Sequence, residues 1–111
     1  MTKIGEGAEV PEKTPLDRYH KEIDENTSRF LNALESYKDG NSDERAHLKP
    51  IMDESLQLIR AAVKEIRRAG IAKQEAQVES DYKTYINSNN PQDLSVLEED
   101  LSTLRDYNKL P

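Results

Sequence analysis

The chain contains no cysteine and no tryptophan, and phenylalanine occurs once. Without cysteine it can form no disulfide, thiolate metal site or cysteine nucleophile, and it suits a reducing compartment. The four glycines leave no glycine-rich loop that could cradle a phosphate. No uncharged apolar run approaches the roughly 20 residues that a bilayer requires, and the first residues lack the apolar region of a secretion signal. We therefore expect a cytoplasmic protein that does not enter a membrane.

Large apolar side chains are also scarce. Leucine, isoleucine, valine and phenylalanine together account for 23 of 111 residues, and the mean hydropathy is -0.93. This length corresponds to one domain, and this composition excludes a large enzyme core. We predict modest stability for an isolated chain, so that binding to a partner or to a second copy would supply additional burial.

The charge balance is acidic, with 22 aspartate or glutamate residues against 16 lysine or arginine residues and a formal net charge of -6. Binding to nucleic acid requires a basic surface, which two acidic segments around a nearly neutral one do not provide. An acidic surface instead attracts basic protein surfaces. One basic stripe is predicted on a helix face as a candidate partner-binding surface, formed by Arg60, Lys64, Arg67 and Arg68.

The apolar spacing is helical throughout, and no two-residue alternation predicts a strand. We predict an all-α fold, a small antiparallel bundle of three to four helices that follows a flexible N-terminal tail at residues 1–13. The bundle domain spans 14–111. Its helices are predicted at about 14–38, 42–69, 71–87 and 91–108.

Residues that typically begin or end helices set these boundaries. Thr14, Asn41 or Ser42, and Asn90 are typical helix caps. Pro50 predicts a kink or a break in the second helix, and Gly70 predicts its end. One long bent helix over 51–87 is the alternative, because a glycine costs only about 1 kcal/mol within a helix.

Each of the two histidines follows an acidic residue three positions earlier, as in Asp17–His20 and Glu44–His47. Such a pair shares one helix face and is used in carboxylate-bridged metal bundles. If the first two helices form a hairpin, however, the two histidines lie roughly 20 Å apart along its axis. We expect no shared metal site and no cofactor.

Residues 45–50 (RAHLKP) resemble the phosphohistidine segment of histidine-phosphotransfer domains, which are four-helix bundles of about this length. In that family a lysine follows the histidine by three places and a small residue comes next. Here Lys49 follows His47 by two places and Pro50 comes next. The resemblance implies phosphotransfer, with His47 as acceptor and Lys49 beside it.

Residues 90–107 are similar to the helical hairpin of type III secretion needle subunits in their Asn-Pro opening, leucine seam and late tyrosine. The similarity covers about a sixth of the chain. It implies helical structure there, in agreement with the local capping pattern.

No nucleophile, base and orienting group can be assembled from these residues, so we expect a non-enzymatic protein that binds another protein, of adaptor, chaperone or inhibitor type. Tyrosine is a favoured interface anchor, and a leucine seam left uncovered would fit a structural homo-oligomer, the alternative function. The candidate partner-binding residues beyond the basic stripe are Tyr82, Tyr85, Leu97 and Leu101.

Overall fold

The computed structural model describes residues 15–109, and within this range it contains four helices and no strand. They are α1 (Pro15–Lys38), α2 (Ser42–Ile66), α3 (Ala69–Ser88) and α4 (Pro91–Lys109). The predicted all-α bundle is confirmed. The predicted tail at 1–13 and the cap at Thr14 lie outside the described residues.

The helices form a ring in which each packs on two neighbours: α1 on α2 and α4, and α3 on α2 and α4. The turns at 39–41 and 89–90 lie at one end of the bundle, which we call the turn end. The connection between α2 and α3 lies at the other end, which we call the connection end. Packing is most extensive within the hairpins α1–α2 and α3–α4.

One apolar core runs along the axis of the bundle. Phe30 of α1 contacts Tyr82 of α3 edge to face at 5.2 Å between ring centroids, and Tyr37 contacts Tyr85 in the same manner at 6.0 Å. These two ring pairs join α1 to α3 across the bundle centre. The fully buried aliphatic side chains around them are Ile23, Leu34, Met52, Ile59, Val78, Leu97, Leu101 and Leu104.

The predicted caps at the turn end are present. The Asn41 side chain accepts from the Glu44 amide at 2.9 Å, and the Glu44 carboxylate accepts from the Asn41 amide at 2.8 Å, which forms a capping box. The Asn90 side chain accepts from the Gln92 amide at 2.8 Å at the start of α4. Local sequence therefore determines where α2 and α4 begin.

The predicted boundary at Gly70 is wrong, because α2 ends at Ile66 and Gly70 lies within α3. Residues five apart on one helix point about 140° away from each other, so a continuous helix could not bury both Ile66 and Ile71 in the core of a single bundle. The chain instead reverses at Arg67 and Arg68, and both isoleucines are buried. Burial of the two isoleucines in the tertiary structure thus outweighs the tendency of Gly70 to end a helix.

Pro50 does not break α2, which runs through it without interruption. Proline has no amide hydrogen, so the carbonyl of Ala46, one turn earlier, loses its helical donor. Ala46 and Pro50 are both exposed, and water can therefore hydrogen-bond to that carbonyl.

Candidate functional site

A depression of 470 Å³ lies at the turn end, where α1 and α2 approach their shared turn. Ser36 of α1 lines one side of it. Leu48 supplies apolar surface and is packed against the core. The remaining lining residues are Asp43, Glu44 and His47, all exposed on the first turns of α2. The depression therefore combines an apolar wall with an acidic rim.

The surface around this depression is negative. Glu35 pairs with Lys38 at 2.8 Å, and this hydrogen bond, together with the charges of Glu35, Asp39 and Glu98, raises the pKa of Lys38 above its ordinary value. Across the turn end and the middle of the bundle (residues 23–58 and 77–101) there are 14 acidic and five basic side chains. A cationic ligand approaching this part of the molecule is attracted.

The connection end has the opposite balance. Residues 15–22, 59–76 and 102–109 carry nine basic and five acidic side chains. The net charge of the bundle is thus segregated along its axis. Sequence reasoning found the basic residues but not this polarity, because the polarity depends on which helix ends meet.

The four residues of the predicted basic stripe do not lie on one helix face. Arg60 and Lys64 lie on α2, and Arg60 Nε is 3.8 Å from the Glu79 carboxylate of α3. Arg67 is the C-cap of α2 in the left-handed conformation, and Arg68 precedes α3. The helical spacing that placed all four on one face ends at Ile66, so the prediction of one helix face for all four is wrong, whereas their binding to a partner stays a prediction.

Arg45 is a structural residue that sequence reasoning missed. Its guanidinium donates to the carbonyls of Tyr37 at 2.9 Å and Lys38 at 3.1 Å, and to the side chain of Asn89 at 2.9 Å. It also lies over the Tyr37 ring, 4.8 Å from its centroid. Arg45 thereby ties both turns together and fixes the shape of the turn end. Nothing in the local sequence indicates that the distant Asn89 is its partner.

Glu75 is a second residue that the sequence did not single out. It occupies a core position of α3 in line with Ile71 and Val78, and only 5% of it is exposed. Burial, reinforced by the neighbouring Glu79 carboxyl, raises the pKa of Glu75 to about 8. Its Oε2 atom has no hydrogen-bond partner among the described residues. A buried carboxyl of this kind opposes tight packing of α3 against α2.

Four of the predicted partner-binding residues lie in the core. Leu97 and Leu101 are fully buried, and Tyr82 and Tyr85 are 6% and 2% exposed. Burial and a 2.6 Å hydrogen bond to Asp53 raise the pKa of Tyr82. Their helical spacing marked an apolar face correctly, but that face is covered by other helices of the same chain. In this conformation none of the four is available to a partner.

The side chains of His47 and Lys49 have different surroundings. His47 is exposed and lines the turn-end depression, whereas the Lys49 amine pairs with Asp53 at 3.0 Å. The Lys49 amine is therefore paired with a residue of its own helix, and not positioned to contact a phosphoryl group on His47.

His20 has a structural partner at the connection end. Its Nδ1 is 2.7 Å from the Asn108 side-chain oxygen, and Asn108 donates to the His20 carbonyl at 2.8 Å. Within residues 15–109, no group of three or more histidine, aspartate or glutamate side chains could hold a metal ion. In that same range, no helix is long and apolar enough to cross a membrane.

Comparison with known proteins identified no relative of this chain. No protein-family model matches the chain, and no curated protein or solved structure matches it significantly.

Proposed function

We propose that this protein is a small acidic, non-enzymatic interaction module of adaptor, chaperone or inhibitor type, and that it binds a basic segment of another protein at its turn end. The proposal rests chiefly on one observation. The 470 Å³ depression lined by Leu48, Asp43 and Glu44 lies in the part of the bundle where acidic groups exceed basic ones. The proposed compartment is the cytoplasm, which the absence of cysteine suits.

The chemistry of the depression defines the partner. Leu48 offers apolar contact that would be completed by an apolar side chain, and the carboxylates of Asp43 and Glu44 would pair with lysine or arginine beside it. Arg45 holds both turns in place before the partner arrives, so little ordering is required on binding. The expected partner segment is therefore amphipathic and basic.

Charge reversal at the depression tests this assignment. Proteins captured from the source lysate would be purified and titrated against the wild type and Asp43→Lys by calorimetry at two salt concentrations. Glu99→Lys is the matched control, because it makes the same change in net charge at an exposed position on α4. We expect Asp43→Lys to weaken binding at least about tenfold and Glu99→Lys to weaken it much less. Equal losses would show that net charge alone attracts the partner and would refute a site at the depression.

Exposure of His47 supports phosphotransfer as a second candidate function. Incubation with a small phosphodonor such as acetyl phosphate should then label the wild type and leave His47→Gln unlabelled. Labelling that persists in His47→Gln would exclude this histidine as the acceptor.

A further inference from the structure

The bundle consists of two hairpins, α1–α2 and α3–α4, and the chain connects them through Arg67 and Arg68 alone. Contacts within each hairpin are more extensive than those of α2 with α3 or of α1 with α4. The molecule thus divides at one two-residue connection into two units that share a limited interface.

The connection is strained at Arg67. Its φ of 60° and ψ of 38° place it in the left-handed region, where asparagine is tolerated but a long side chain is disfavoured. Among the described non-glycine residues, Asn89 is the other one with a positive φ, and it occupies a turn that suits asparagine. Arg67 would lose this strain if it became helical.

The flanking sequence can form a helix. Arginine and alanine are good helix formers, and Ala69 and Gly70 already belong to α3. If Arg67 and Arg68 became helical, α2 and α3 would join into one helix over residues 42–88. The two hairpins would then separate, because α3 could no longer turn back along α2.

Separation exposes an interface that a second copy can cover. In the closed chain, α3–α4 contacts α1–α2 through the ring pair Phe30–Tyr82 and through hydrogen bonds such as the one from Tyr82 to Asp53. The buried carboxyl of Glu75 lies on the buried face of α3, and its Oε2 atom has no hydrogen-bond partner among the described residues, so it adds little to holding this interface closed. The hairpins of two opened copies present these same surfaces to each other.

We propose that two copies of this chain exchange their α3–α4 hairpins to form a domain-swapped dimer in which α2 and α3 are continuous through Arg67. Each half of the dimer rebuilds the contacts of the monomer, so the two forms differ mainly at the hinge. This inference does not depend on the proposed function, since it concerns the hinge and the core rather than the turn end.

Glycine at the hinge tests the proposal. Glycine accepts the left-handed conformation and disfavours a helix, so Arg67→Gly should favour the monomer. Relief of the strain at one Arg67 raises the dimer dissociation constant roughly fivefold, and a dimer contains two such hinge residues. We therefore expect an increase of at least about 25-fold in the dimer dissociation constant, because the cost of glycine within the continuous helix of the dimer adds to the relief of strain in the monomer. Light scattering after refolding at a series of protein concentrations measures this constant. Gly70→Ala is the matched control, because position 70 is helical in both forms and the constant should stay unchanged.

Energy transfer distinguishes swapping from ordinary association. The chain has no cysteine, so donor and acceptor can be attached to separate chains at Gln57→Cys and Lys83→Cys, both exposed positions on the facing helices α2 and α3. In a swapped dimer, transfer between the two chains equals that within a doubly labelled monomer. A chain that stays monomeric at every concentration, a dimer that Arg67→Gly leaves unchanged, or weaker transfer between chains would each overturn the proposal.

Discussion

Glu75 occupies a core position of α3, and its replacement by glutamine is expected to stabilise the bundle at neutral pH. In the folded chain the carboxyl keeps its proton up to a pKa of about 8, whereas its ordinary value is 4.5. Between these two values the folded state binds more protons than the unfolded state. Stability contributed by this group is therefore complete below pH 4.5 and is lost as the pH rises towards 8.

The size of the effect follows from this difference. Each unit between the folded and unfolded pKa corresponds to about 1.4 kcal/mol, so the wild type should lose up to about 2–3 kcal/mol relative to Glu75→Gln between pH 5 and pH 7. This figure is an upper limit, because an ionised side chain can rotate towards water, and we expect at least about 1 kcal/mol. Asp81, whose pKa burial and Asp100 raise to about 6, titrates in both proteins and cancels in the comparison.

Urea unfolding followed by circular dichroism at a series of pH values measures this difference. Glu65→Gln is the control, since it makes the same substitution at an exposed position on α2. The free energies of unfolding of the wild type and Glu75→Gln should converge near pH 4.5 and diverge above it. A difference that stays constant from pH 5 to pH 8, or a less stable Glu75→Gln protein, would refute the assignment of a buried, protonated carboxyl.

Three further substitutions can be compared in the same unfolding assay. Gly70→Ala should stabilise the chain by about 0.4–1 kcal/mol, because position 70 lies in the first turn of α3 and an added Cβ meets no atom within 4 Å beyond its chain neighbours and the backbone of its own helix; a loss of stability would contradict this open environment. Arg45→Met should destabilise it by about 1–3 kcal/mol through the loss of three hydrogen bonds at the turns, and a neutral result would mean that water replaces them. Leu101→Ala should cost about 2–5 kcal/mol because Leu101 is fully buried, and a cost below 1 kcal/mol would indicate a loosely packed core.

Much of the helical architecture could be predicted locally. The capping residues Asn41 and Asn90 begin α2 and α4 as predicted, because a cap is formed by a side chain and the amides two or three residues away. The apolar spacing also identified the apolar faces of the helices, such as the face of α4 that carries Leu97 and Leu101. Such patterns report which side of a helix is apolar, but not what covers it.

The candidate sites depended on contacts between distant residues. Leu97 and Tyr82 were predicted to bind a partner, but both lie in the core. Arg45 was not predicted as an important residue, although its hydrogen bonds bridge both turns. The sequence did not single out Glu75, which becomes buried only through the packing of the helices. The amino-acid sequence by itself determined the helices, their caps and their apolar faces, because these depend on neighbours within a few residues. Tertiary structure alone decided the reversal at Arg67, the axial segregation of charge and the buried carboxyl, because each depends on how helices pack against one another.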